Sequence, residues 1–149
     1  MNAANPSTPP PFYERMLFFA EGDLEAAEAM VKSGNIHYQK PCFDARECVE
    51  KALKAFIAAA GREVPQVHSL RALLRDCMTV DKEFGIFQGK FETLARYQSE
   101  ARYPEADEQE EFTAEEAAEA VRLARELFDF VRDKIERRKQ AGLLPGGEH

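Results

Sequence analysis

The stretch from Ala45 to Ala60 constrains this chain more than any other. Ala45, Cys48, Val49, Ala52, Leu53, Phe56, Ile57 and Ala60 recur at steps of three and four. That spacing gathers apolar side chains into one stripe along an α-helix and cannot satisfy the two-residue period of a strand. Pro41 fits the first turn, where its missing N–H costs nothing, and Gly61 supplies the stop. The opposite face carries Glu47 with Lys51 and Glu50 with Lys54. Each is an acid-before-base pair four residues apart, worth about 0.2–0.5 kcal/mol. A helix with an apolar stripe and a paired polar face is expected to be half buried.

The same period recurs along the chain. From Phe12, the residues Leu17, Ala20, Leu24, Ala27 and Val31 predict a first helix ending near Ser33-Gly34. Gly22 inside it costs about 1 kcal/mol against alanine, so a kink or a later start capped by Asp23 is expected. After Pro65, a third helix runs from Ser69 to about Met78 with Leu70, Leu73, Leu74 and Cys77 inward. Residues 81–102 form a less regular helical stretch, interrupted at Gly85 and Gly89, with Phe84, Phe87, Phe91, Leu94 and Tyr97 as its apolar members. Pro104 disfavours helix at Tyr103 and ends it. Residues 105–116 are acidic at seven of twelve positions, too charged for a core. Thr113 followed by Glu116 has the form of a capping box. It opens a long final helix with Ala117, Ala120, Val121, Ala124, Leu127, Phe128, Val131 and Ile135 on its buried stripe. Arg132, Lys134, Arg137, Arg138 and Lys139 load its last turns, complementing the negative end of the helix dipole.

No segment alternates with a period of two, so the fold class is all-α: an up-and-down bundle of four to five helices. Residues 1–11, with Pro6, Pro9, Pro10 and Pro11, read as a disordered extension; 12–139 form the bundle; 140–149 are a flexible tail. A chain of 149 residues makes one domain and needs neither disulfide nor metal to hold its core. The net charge of −7 argues against coating duplex DNA, while leaving room for a local basic patch. No run is long and apolar enough to span a membrane, and the first residues carry no charged-then-apolar leader, so the expected location is cytoplasmic. Cys42, Cys48 and Cys77 match no zinc spacing and read as buried, reduced thiols. No phosphate loop, nucleophile elbow or metalloprotease helix is present, and no cofactor or metal site is expected.

The order of pieces carries further information. Ala20-Glu21-Gly22-Asp23-Leu24-Glu25-Ala26-Ala27 precedes Val49-Glu50-Lys51-Ala52-Leu53-Lys54-Ala55, then Gly61, Pro65, His68-Ser69-Leu70 and Ala101-Arg102-Tyr103-Pro104. In this order and spacing the chain resembles the HEPN domain family from about Phe12 to Arg138. The resemblance implies a helical bundle, commonly a homodimer, often encoded beside a small nucleotidyltransferase in a toxin–antitoxin module. Many such domains are metal-independent ribonucleases with an arginine followed four to six residues later by histidine on a late helix. There, histidine would move protons at the ribose 2′-hydroxyl and arginine would meet phosphate charge. No histidine lies on the late helix here; the three are His37, His68 and His149. Arg62 and His68 have a matching separation but fall between the second and third helices, where the resemblance gives His68 a structural place. Catalytic residues are therefore not assigned, and the expected role is a nucleotide- or RNA-associated module.

Arg96, Arg102 and Tyr103 are the foremost candidates for that contact, since guanidinium forks bind phosphate and a phenol stacks on a base. Lys51 is a weaker candidate, with Glu47 as its competing partner. Two other readings stand beside this one. One is a divergent ribonuclease using Arg62 and His68; the other is a dimeric scaffold making only protein contacts.

Overall fold

The computed structural model describes residues 9–34, 37–96 and 112–145. Four α-helices carry it: α1 (Phe12–Lys32), α2 (Gln39–Ala59), α3 (Leu70–Val80) and α4 (Ala114–Gln140). Between α3 and α4 lie two 3₁₀ segments, Lys82–Phe87 and Leu94–Arg96. Among the described residues there is no strand. The short helical pieces replace the helix expected over 81–102, because Gly85 and Gly89 (φ 83°) break the regular hydrogen-bond ladder. Tyr97 lies outside the described residues.

The helix expected to be half buried is instead the axis of the molecule. α1 and α4 pack on its apolar stripe, while α3 and the Leu94–Arg96 turn cover much of its remaining surface. Asp44, Arg46 and Glu50 of α2 are consequently buried along with its apolar residues. Every member of the expected stripe is buried except Ala60, which caps the end of the helix. The sequence pattern did not reveal a second layer of chain over the face carrying Glu50.

The starts of α3 and α4 follow from local chemistry, while α1 does not start where the sequence offers a cap. α1 runs unbroken through Gly22, and Asp23 sits mid-helix bonded to Lys51 rather than capping a start. The Ser69 hydroxyl caps α3 by accepting from the Ala72 amide. At α4 the capping box forms in both directions, Thr113 accepting from the Glu116 amide and Glu116 accepting from the Thr113 amide. All eight apolar residues expected on the α4 stripe are buried. Phe56, Phe84 and Phe130 form the aromatic centre, with ring centroids 4.6 Å and 5.0 Å apart along that chain. Aromatic pairs at such distances contribute roughly 0.5–1.5 kcal/mol each beyond burial.

Candidate functional site

Covering the polar face of α2 brings a charged network to the wall of a groove beside α3. The groove encloses about 930 Å³ between α3 and residues 88–95, with Arg46, His68, Arg71 and Arg75 among its lining. Arg71, Leu74, Arg75 and Met78 line it together because steps of three and four share one helix face. Ser69 opens that helix at the groove, so the N-terminal end of the α3 dipole adds positive potential to the guanidinium charges. The wall opposite α3 includes Phe91, Glu92 and Ala95.

Bonded to the groove-lining Arg46 and His68, Glu50 is itself almost fully buried and holds three donors. Arg46 Nη1 lies 2.7 Å from Oε1, while Lys54 Nζ and His68 Nδ1 lie 3.0 Å and 2.6 Å from Oε2. Arg46 Nη2 also donates to the His68 carbonyl, tying α2 to the loop that enters α3. The Arg46 Nε is buried with no hydrogen-bond partner. Burial pushes the Glu50 carboxyl up, but the hydrogen bonds from His68, Arg46 and Lys54 outweigh it and hold the group below its ordinary value of 4.5. A depressed folded-state value stabilises the protein fully above about pH 4.5, and the contribution is lost as pH falls through the folded value. A Glu50→Gln variant is therefore expected to be less stable than wild type near neutrality but to lose less on acidification. Urea unfolding at about pH 7 and about pH 3 measures the two slopes. Parallel losses in both proteins would contradict the assignment.

Two of the groove's arginines differ in availability. Arg71 reaches across the mouth to Glu92, with Nη2 2.8 Å from Oε2, and both side chains are largely exposed. Arg75 has no hydrogen bond or ion pair among the described residues. An exposed pair such as Arg71–Glu92 contributes little to stability and yields readily to a better anion. The set can therefore hold phosphate oxygens through two guanidiniums, a helix N-terminus and the exposed edge of His68.

The residues singled out from the sequence are distributed differently. Lys51 is held between Asp23 of α1 (2.7 Å) and Glu47 (3.3 Å), and it does not line the groove. Burial lowers its pKa, but the bonds to Asp23 and Glu47 more than compensate and leave it raised. Arg96 follows the groove-lining Ala95, pairs with Glu116 at 3.3 Å and lies 5.7 Å from the Phe112 ring centroid. Arg102 and Tyr103 fall outside the described residues. Arg62 donates to the Thr79 hydroxyl at 2.9 Å, near the far end of α3, and is not part of the groove with His68. Cys48 and Cys77 are buried, and burial pushes both thiols far above the ordinary range, consistent with inert core packing.

Arg46, Arg71 and Arg75 were missed by the sequence reading. The spacing of Arg71 and Arg75, four apart on a helix whose inward residues are Leu70, Leu73, Leu74 and Cys77, was a usable signal. Arg46 offered less, because its burial depends on the covering loop.

Comparison with known proteins gives consistent results. The model of the HEPN domain matches residues 13–134. A protein of Methanocaldococcus jannaschii named "Putative toxin MJ1304" is 28% identical over 127 residues, covering 76% of this chain and 82% of that one. The crystal structure of TT1696 from Thermus thermophilus aligns with a TM-score of 0.66 at 28% identity, over 82% of this chain and 97% of that one. The crystal structure of ST0689, described as an archaeal HEPN homologue, aligns with a TM-score of 0.62 at 25% identity, over 85% and 99%.

Proposed function

This chain belongs to the HEPN domain family, and we propose that it is the HEPN member of a toxin–antitoxin-type pair, acting on a nucleotide or RNA held in the α3 groove. The observation that carries the ligand class is the clustering of Arg46, His68, Arg71 and Arg75 on one groove of a protein whose net charge is −7. In an acidic protein, a concave basic surface focuses potential toward a negatively charged ligand. Arg96, which follows the groove-lining Ala95, is kept as a further contact to the same ligand, as are Arg102 and Tyr103, which lie outside the described residues. Lys51 has no place in it, because two carboxylates already satisfy its ammonium group. The likeness to the toxin-named relative supports the biological setting. A small nucleotidyltransferase is the second member of the pair, and the HEPN chain is a homodimer.

Titration with mononucleotides and short single-stranded RNAs at low salt tests the reading. Saturable binding that weakens steeply with added salt supports it, since phosphate contacts release counterions. Absence of binding to every probe under those conditions overturns it.

A second reading rests on the Glu50–His68 contact. A carboxylate on Nδ1 of a neutral imidazole favours the tautomer with a free lone pair on Nε2, the form a general base requires. In that reading the protein is a divergent ribonuclease with His68 as base, now without Arg62. RNA cleavage by wild type that disappears in a folded His68→Ala variant would favour it; intact RNA with wild type would remove it.

A further inference from the structure

The outward face of α1 is built from residues that the chain itself does not need. Phe18 and Phe19 are 71% and 55% exposed, their rings in edge contact at 5.6 Å. Gly22 lies one turn beyond Phe18, in a helix interior where glycine costs about 1 kcal/mol against alanine. A Cβ at Gly22 would meet nothing within 4 Å, so no contact within the chain requires glycine there. Arg15 and Glu25 are exposed on the same face, and neither has a partner among the described residues.

We propose that this face is the interface with a second copy of the chain, in which α1 crosses α1 antiparallel. The inference rests on the homodimer reading above and deepens it by naming the surface. The face is self-complementary about one point. Phe18 and Gly22 lie equally far on either side of residue 20, and so do Arg15 and Glu25. A single twofold axis at that level sets each Phe18 over the other copy's Gly22 and each Arg15 opposite the other copy's Glu25. An isologous interface demands this relation, in which a knob and its hole occur on the same surface. Ala20 itself is buried against the bundle, so the axis passes outside it, between the two helices. Glycine there lets the helices approach closely enough for the phenylalanine ring to seat. An unrelated partner would have no reason to match both pairs to one midpoint.

Sedimentation velocity on the 149-residue chain, over a range of concentrations, gives the test. Wild type is expected to dimerise. Phe18→Glu and Gly22→Leu are each expected to weaken the dimer about tenfold or more while thermal unfolding of the monomer is unchanged or improved. Arg15→Glu should weaken it too, and adding Glu25→Arg should restore it, because the charge pair is then reversed rather than lost. A dimer indifferent to all three single substitutions overturns this interface and leaves the homodimer reading standing. A wild type that stays monomeric at the highest concentration overturns both.

Discussion

An Arg46→Ala variant is expected to lose about 3–5 kcal/mol of stability, the usual cost of removing one partner from a buried ion pair. The guanidinium is 5% exposed and bridges the Glu50 carboxylate and the His68 carbonyl. Its removal leaves Glu50 buried with only Lys54 and His68, and it cuts the link between α2 and the entry to α3. The size of the effect reflects stranded charge more than lost attraction. An Arg46→Met/Glu50→Leu double variant should therefore recover most of the loss, since both charges leave together and packing volume is kept. Urea unfolding followed by circular dichroism separates these outcomes. A double variant as unstable as Arg46→Ala would contradict the account of the network.

The largest functional effect is expected from Arg71→Ala/Arg75→Ala. A hydrogen bond to a charged group is worth about 1.5–3 kcal/mol, so each arginine accounts for roughly tenfold or more in affinity for a short RNA. The pair together should cost about a hundredfold at low salt. Loss of two phosphate contacts should also flatten the dependence of log affinity on log salt by about 1.4. Neither side chain is part of the apolar core, so the fold should persist. Glu92→Gln supplies the opposite sign. With the 2.8 Å bond to a carboxylate gone, Arg71 is released toward the groove and affinity should rise. Fluorescence anisotropy with a labelled oligonucleotide measures all three. Unchanged affinity in the double variant would move the site elsewhere.

What the sequence disclosed, and what it concealed, divides along the line between local and non-local chemistry. The stripes of α2 and α4, the Thr113–Glu116 cap and the Ser69 start are all written within a few residues, and the structure carries each of them. The cost of Gly22 is local and points to a kink or to a later start at Asp23, whereas α1 stays helical through it under the packing of α2 and α4. The site was less legible. Glu50 and Lys54 have the spacing of an ordinary solvated pair, and they are indeed bonded at 3.0 Å. Only the chain folded over them, contributing His68 from 18 residues away, turns that pair into a buried network. Lys51 shows the same limitation. Its i−4 partner Glu47 was readable, but the shorter bond to Asp23 spans 28 residues and required the α1–α2 packing to exist.

The most direct test of the central claim, that the α3 groove is where a phosphate-bearing ligand sits, is amide chemical-shift mapping during titration with a short single-stranded RNA. The account predicts saturable shifts concentrated at residues 68–75 and 88–95, with the outer face of α1 unmoved. Shifts confined to the surroundings of Lys51, or spread evenly over the bundle without saturation, would contradict it.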